Sequence, residues 1–128
     1  MSDPTSVLLV DDDLDSRKIY GRVLAHVGYR VMEAASGQEA LNVARSIAPD
    51  VVVVDLGLPD INGLEVTRAL RADAATRSAR IVVLTAYVSR FDEAYAAEAG
   101  SDVYLAKPIL PRDLVAVIDQ LTRTVSST

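Results

Sequence analysis

Short runs rich in β-branched residues recur along the chain, and segments with helical patterns separate them. The uninterrupted apolar runs at 51–54 and 81–84 are typical of strands buried on both faces of a parallel sheet. Strands that alternate with helices indicate right-handed crossovers and a sheet covered by helices on both sides. The sequence therefore predicts an α/β fold, a doubly wound (βα)5 arrangement around a five-stranded parallel sheet. The predicted strands are 7–10, 29–32, 51–54, 81–84 and 103–105, of which the second, carrying Arg30, suits a sheet edge.

The ends of several predicted helices carry residues that favour capping. In the first helix, apolar residues recur every four positions, and Gly28 follows as a C-terminal cap. Ser36 and Glu39 have the spacing of a capping box at the start of the second helix. Ser89 with Asp92 resembles a cap for the fourth helix. The helical signals are Ile19, Val23 and Val27 in the first helix, 64–70 for the third, and Leu114, Val117, Ile118 and Leu121 in the fifth.

Length and composition restrict the class of protein. A chain of 128 residues buries about two thirds of its extended surface, which is enough for one core. Its 50% apolar content excludes intrinsic disorder, yet no apolar stretch is long enough to span a bilayer. The N-terminus lacks a signal-peptide pattern, the absence of cysteine fits a cytoplasmic protein, and the formal charge of -5 argues against nucleic-acid binding. We therefore expect one domain over 1–128, with a core at about 6–123 and polar tails at both ends.

Acidic residues follow two of the predicted strands. Asp11 and Asp12 come directly after the first strand, and Asp55 ends the third. In open α/β sheets, ligands bind beyond the carboxyl ends of the strands, so these carboxylates converge if strands one and three are adjacent. Such a cluster is costly without a cation, and Mg²⁺ prefers a few carboxylates together with water. The pattern therefore predicts a magnesium site, whereas Asp13 and Asp15 are more typical of turns and helix caps.

Two further polar residues stand at the same predicted edge. Thr85 ends the fourth strand, and Lys107 ends the fifth, directly before Pro108. A hydroxyl and an ammonium at that edge could bind the oxygens of a tetrahedral anion. Each is a weak signal alone, because threonine is common in strands and lysine often ends a strand in solvent. They gain value together with the aspartates, because polar residues then stand at the ends of four separate strands.

Four segments of the chain resemble the receiver domain of two-component response regulators. They are Val-Leu-Leu-Val-Asp-Asp-Asp at 7–13, Val-Val-Asp-Leu-Gly-Leu-Pro-Asp-Ile-Asn-Gly at 53–63, Val-Leu-Thr-Ala at 83–86, and Lys107-Pro108. The resemblance covers about residues 6–123, with all motifs in order. It implies the flavodoxin-like strand order 2-1-3-4-5, which makes strands one and three neighbours.

The resemblance also implies the chemistry of the site. Asp55 would be the phosphoacceptor, taking a phosphoryl group from a phosphohistidine on a sensor histidine kinase or histidine phosphotransfer protein. Asp11, Asp12 and Asp55 would hold Mg²⁺ directly or through water, with the backbone carbonyl of Gly57 as a further ligand. Lys107 would pair with Asp55 and then with a phosphoryl oxygen. Such a domain is not an enzyme, although it assists its own phosphorylation and dephosphorylation.

The same resemblance implies how the signal leaves the site. Thr85 would donate its hydroxyl to the phosphoryl group, and Tyr104 on the fifth strand would rotate into the vacated space. The face formed by the fourth helix, fifth strand and fifth helix would then change its affinity for a downstream protein, with a phosphorylation-dependent dimer as one form of output. The bond before Pro108 is expected to be cis. Tyr87 could shield an acyl phosphate from water, whereas Gly57 has no side chain to block water. Because these effects oppose each other, no lifetime of the phosphorylated form is predicted.

Other functions compete with this interpretation. Asp11-Asp12-Asp13-Leu14-Asp15 can be aligned with the acidic motif of a haloacid-dehalogenase-type phosphatase, with Asp11 as nucleophile and Asp13 as acid. That alternative gives Asp55 no role, and the chain is too short to include the substrate cap that such a phosphatase would need. A receiver that only binds partners is disfavoured by the intact set of acidic, hydroxyl and lysine residues. The sequence leaves open the pathway, the kinase, and whether the chain acts alone or is cut from a regulator whose output domain is missing.

Overall fold

The computed structural model describes residues 4–86 and 90–126, with side chains at 90–92 and 124–126 outside that description. The predicted cap of Ser89 with Asp92 and the shielding role of Tyr87 therefore lie outside the described residues. Strands are β1 Ser6–Val10, β2 Arg30–Ala34, β3 Val51–Asp55, β4 Arg80–Thr85 and β5 Val103–Ala106. Helices are α1 Leu14–His26, α2 Gly37–Ile47, α3 Gly63–Ala72, α4 Arg90–Ala99 and α5 Pro111–Ser126. The predicted (βα)5 order is confirmed.

The five strands form one parallel sheet in the order β2-β1-β3-β4-β5. This confirms both the strand order that the resemblance implied and the edge position of the strand carrying Arg30. Val10, the last residue of β1, pairs with Val54 of β3, the residue before Asp55. Asp11 and Asp55, the next residues along each strand, therefore lie side by side at the carboxyl edge.

Apolar side chains fill both faces of the sheet. Alternate residues of a strand point to opposite faces, so Val52 and Val54 contribute to one buried cluster while Val51 and Val53 contribute to the other. The first cluster includes residues of α2 and α3, and the second includes residues of α1 and α5. Burial on both faces explains why these strands read as uninterrupted apolar runs. None of the described helices is both long enough and apolar enough to cross a bilayer.

The first helix forms as predicted, but the face that it buries is not the one that carries the apolar repeat. Ile19 and Val27 are 56% and 50% exposed, whereas Leu24 and Gly21 are buried. A four-residue repeat drifts around a helix of 3.6 residues per turn, so its members do not stay on one side. The helix ends near Gly28, whose φ of +107° is the left-handed conformation expected of a glycine cap.

Helices α2 and α3 begin at capped N-termini. The hydroxyl of Ser36 accepts a hydrogen bond from the amide of Glu39 at 3.2 Å, as the capping-box spacing predicted. The side chain of Asn62 accepts from the amide of Leu64 at 2.7 Å and caps α3. This second cap sets where α3 starts, immediately after the loop that follows Asp55.

Candidate functional site

Three residues from distant parts of the chain meet at the carboxyl edge of the sheet. The ammonium nitrogen Nζ of Lys107 donates to Oδ2 of Asp11 at 2.7 Å and to Oδ2 of Asp55 at 2.6 Å. Because both oxygens contact one nitrogen, they lie no more than 5.3 Å apart. The two carboxylates that the sequence placed at neighbouring strand ends are thus joined by the predicted lysine.

Short backbone contacts hold each carboxylate in place. Oδ1 of Asp11 accepts a hydrogen bond from the amide of Asp13 at 2.9 Å, and Oδ1 of Asp55 accepts from the amide of Gly57 at 2.8 Å. Both contacts are local turns in which an aspartate binds the amide two residues ahead. Each side chain therefore has one oxygen fixed by its own loop and the other directed to Lys107.

The phosphoacceptor candidate is held in place yet reachable. The side chain of Asp55 is 15% exposed, that of Asp11 is 10% exposed and that of Lys107 is 20% exposed. A reagent can reach Asp55 from solvent, while partial burial strengthens its interaction with the ammonium. Burial alone would lower the pKa of Lys107, but its hydrogen bonds to Asp11 and Asp55 outweigh burial and raise that pKa above its ordinary value.

Thr85 and Tyr104 occupy the positions that the sequence predicted. Thr85 is buried at the end of β4, and its carbonyl accepts a hydrogen bond from the amide of Lys107 at 2.7 Å. Tyr104 lies on β5 opposite Val83 and is partly buried against the core cluster beneath the site. The peptide bond between Lys107 and Pro108 is cis, as expected.

The remaining aspartates of the acidic run are more exposed. Asp12, Asp13 and Asp15 are all exposed to solvent. Asp13 precedes the first residue of α1, and a hydrogen bond from the hydroxyl of Ser16 lowers its pKa. Asp13 thus occupies the N-cap position of α1, as the cap interpretation predicted, but its side chain makes no capping hydrogen bond.

The donor set at this edge suits a hard divalent cation. Among the side chains that the structure describes, no three acidic or histidine groups lie closely enough together to form a metal cluster. Mg²⁺ does not require one, because it commonly takes one or two carboxylates and completes its octahedron with water. Asp11 and Asp55 supply such carboxylates, and Asp12, the next residue after Asp11 in the chain, is exposed to solvent.

Sequence reasoning missed a residue that contacts the acidic loop. Arg17 on α1 donates from Nη1 to the backbone oxygen of Asp11 at 2.6 Å, and from Nε to Glu33 on β2 at 3.1 Å. An arginine on a helix is usually solvated, so its identity alone gave no signal. No feature of the sequence indicated this contact.

Comparison with known proteins gives consistent matches over most of the chain. Residues 7–119 match a family model described as the response regulator receiver domain. A polar-differentiation response regulator, DivK of Brucella anthropi, is 34% identical over 110 residues, covering 85% of this chain and 89% of that protein. The chemotaxis response regulator CheY4 of Vibrio cholerae superposes with a TM-score of 0.87 at 30% identity, covering 91% of this chain and 98% of that one.

A third match concerns a structure in a modified state. It is a response regulator protein from Burkholderia pseudomallei with a phosphorylated aspartic acid, a calcium ion and citrate. Its TM-score is 0.82 at 29% identity, and the match covers 97% of this chain and 75% of that one.

Proposed function

This chain belongs to the family of response regulator receiver domains, and on that premise we propose that it is a signalling switch in which Asp55 accepts the phosphoryl group. The observation that carries the proposal is the pair of contacts from Lys107 to Asp11 and Asp55. These contacts bring the solvent-accessible carboxylate of Asp55, the carboxylate of Asp11 and the ammonium of Lys107 into one small volume. Receiver domains work as two-component signalling switches rather than as metabolic enzymes.

The proposed reaction is transfer of a phosphoryl group from a phosphohistidine to a carboxylate oxygen of Asp55. The phosphorus–nitrogen bond breaks, the imidazole nitrogen keeps the electron pair, and a phosphorus–oxygen bond forms to give an acyl phosphate. Catalysis of such a transfer depends mainly on positioning and on neutralising charge on the phosphoryl oxygens. Contacts from Gly57 and Lys107 hold Asp55 before transfer, and Lys107 then pairs with a phosphoryl oxygen.

The residues that would hold Mg²⁺ are Asp11, Asp12 and Asp55, with the backbone carbonyl of Gly57 as a further ligand. When bound, the ion would supply positive charge to the phosphoryl oxygens. The closeness of Asp11 and Asp55 supports this assignment, since their mutual repulsion favours a cation between them. The calcium ion named for the Burkholderia pseudomallei structure, which also has a phosphorylated aspartic acid, is a precedent for a divalent cation in a related protein.

The output of the switch is proposed to run through Thr85 and Tyr104. Thr85 is buried at the end of β4, and its carbonyl binds the amide of Lys107; its hydroxyl would turn toward the phosphoryl group after transfer. Tyr104, which packs against the buried cluster beneath the site, would move into the space this leaves. The surface of α4, β5 and α5 would then change its affinity for a downstream protein, by a coupling free energy of about 1–3 kcal/mol.

The partners follow from the same chemistry. The proposed donor is a sensor histidine kinase or a histidine phosphotransfer protein, since the phosphohistidine of such a protein carries the reactive phosphoryl group described above. The receiver of the signal is a downstream protein or an output domain of a longer regulator. We propose a cytoplasmic location for this exchange.

Two measurements test the assignment of Asp55. The first is peptide mass spectrometry after incubation with acetyl phosphate and Mg²⁺, which should place the phosphate on Asp55. The second is the change in the amide NMR spectrum on adding beryllofluoride with Mg²⁺. Asp55→Asn should abolish both responses, whereas the matched control Asp113→Asn, at an exposed position of α5, should retain them.

The same preparations separate the receiver from the phosphatase. A phosphatase with Asp11 as nucleophile would hydrolyse phosphate esters in the Asp55→Asn variant and lose that turnover in Asp11→Asn. A receiver would show no ester turnover in either variant. Phosphate on a residue other than 55, or a full beryllofluoride response in Asp55→Asn, would reject the proposed site.

A further inference from the structure

Arg17 connects three segments of the structure next to the acidic loop. It extends from α1, donates to the backbone oxygen of Asp11, and donates to Glu33 on β2. Its side chain is 13% exposed, so its conformation is constrained by packing. The proposed phosphorylation chemistry assigns it no role, since it is directed at a peptide group and at Glu33.

We propose that Arg17, anchored by Glu33, is a positioning residue that orients the peptide between Asp11 and Asp12 for binding of the divalent cation. This inference rests on the proposed function, because it concerns the same metal site. Arg17 touches neither of the metal-binding carboxylates in its described hydrogen bonds. It acts through the backbone that carries them.

The contacts of Asp11 support the inference. Its amide donates to the backbone oxygen of Ala34 at 3.1 Å, and its carbonyl oxygen accepts from Arg17 at 2.6 Å. These two bonds hold the peptide groups on either side of Asp11. The peptide after Asp11 also sets the direction in which Asp12 leaves the strand. Fixing that peptide therefore constrains both carboxylates before any cation binds.

The shape of the arginine explains why this residue type suits the position. Nη1 and Nε lie on one rigid planar group, so contact with Glu33 determines where Nη1 points. A lysine at position 17 keeps the positive charge but has a single nitrogen on a flexible stem. It can reach one of the two acceptors without being aligned by the other.

Charge alone predicts the opposite effect from positioning. A guanidinium beside a cluster of aspartates repels an incoming divalent cation, so removing it should tighten Mg²⁺ binding. If Arg17 instead orients the ligands, its removal should weaken binding. Residues outside the ligand shell that orient metal ligands commonly contribute about 10–100-fold to affinity. A substitution that keeps the charge separates the two roles, because charge alone then predicts unchanged binding whereas positioning predicts weaker binding.

The experiment is a Mg²⁺ titration of the full chain followed by amide NMR, with Mg²⁺ alone as the probe. Arg17→Lys, which keeps the charge, should weaken Mg²⁺ binding about tenfold. Glu33→Gln should also weaken Mg²⁺ binding. The double variant should bind Mg²⁺ no more weakly than Arg17→Lys alone, because Glu33 acts through Arg17. The matched control Arg22→Lys, at an exposed position of the same helix, should bind as the wild type does. Urea unfolding of each variant establishes that it is folded.

The outcomes distinguish this inference from the proposed function. Unchanged or tighter Mg²⁺ binding by Arg17→Lys, with normal binding by the wild type, would overturn the positioning role and leave the metal site intact. Additive effects of the two substitutions would overturn the anchoring role of Glu33. Absence of Mg²⁺ binding by the wild type itself would overturn the proposed metal site and this inference together.

Discussion

Replacing Lys107 with methionine tests the electrostatic balance on which the site depends. The change keeps a long unbranched side chain but removes the positive charge that contacts both Asp11 and Asp55. We expect Lys107→Met to lower the free energy of unfolding in the absence of divalent cations, because two neighbouring carboxylates then face each other without a cation.

The magnitude follows from the geometry. The two carboxylate oxygens lie within 5.3 Å of each other. At an effective dielectric constant of about 20, two like charges about 5 Å apart repel by about 3 kcal/mol. Both side chains touch solvent, which screens part of this repulsion. In the wild type the ammonium compensates this repulsion, and its hydrogen bonds to the two carboxylates outweigh its own burial, so we expect a net loss of about 2 kcal/mol.

Urea unfolding followed by circular dichroism measures this loss, with and without MgCl2. Mg²⁺ that binds only the folded state stabilises it, by about 2.7 kcal/mol at 100 times the dissociation constant. In Lys107→Met the cation no longer competes with the ammonium, so Mg²⁺ should stabilise this variant more than the wild type. It should restore most of what the substitution removed.

The matched control is Lys18→Met, at the other lysine of the chain, which is exposed on α1. It makes the same change in charge and should alter stability by less than about 0.5 kcal/mol. The reasoning fails if Lys107→Met is as stable as the wild type without Mg²⁺. It also fails if Mg²⁺ stabilises the two proteins equally.

Three further expectations concern the supports of the site and of the fold. A Cβ at Gly63 would lie 2.5 Å from the carbonyl oxygen of Asp55, so Gly63→Ala should cost about 2 kcal/mol in urea unfolding. A Cβ at Gly57 would lie 3.6 Å from Oδ1 of Asp55, so Gly57→Ala should cost less than about 1 kcal/mol. Equal losses of stability in the two variants would contradict this expectation. Amides of the α2 N-terminus lower the pKa of Asp60, so its stabilising effect is present above the ordinary aspartate pKa and lost on acidification. Asp60→Asn should therefore flatten the acid side of the pH–stability curve, and an unchanged curve would refute this. Burial and a hydrogen bond to the carboxylate of Asp119 raise the pKa of Tyr29 to about 12, so its contribution to stability is lost as the pH rises from about 10 to 12. Tyr29→Phe should therefore lose less stability over this pH range, as measured by denaturant unfolding.

Several features of the fold depend only on residues that are close in the chain. Strand identity followed from uninterrupted apolar runs, because residues such as Val52 and Val53 are buried on opposite faces of one sheet. The cap at Ser36 followed from its spacing to Glu39, because both partners lie within one turn. Patterns of this kind report interactions between residues that are close in the chain.

Interactions between distant residues were predicted only where the family resemblance supplied the strand order. The carboxylates of Asp11 and Asp55 could be placed together because strands one and three were expected to be adjacent. No pattern indicated that Asp60, on the loop after β3, would cap α2 through the amides of Gly37 and Gln38. The buried face of α1 was also unpredictable, because its exposed Ile19 is as apolar as the residues that pack.

By itself, the sequence determined the alternation of strands and helices and the polar residues that end the strands, since these depend on hydrophobic period and residue type. Tertiary structure alone decided that Lys107 also contacts Asp11, 96 residues away in the chain, and that Arg17 reaches the backbone of Asp11. Those contacts depend on strand register and on how closely a helix approaches the sheet. Both are set by the packing of the whole core, which no local stretch of residues encodes.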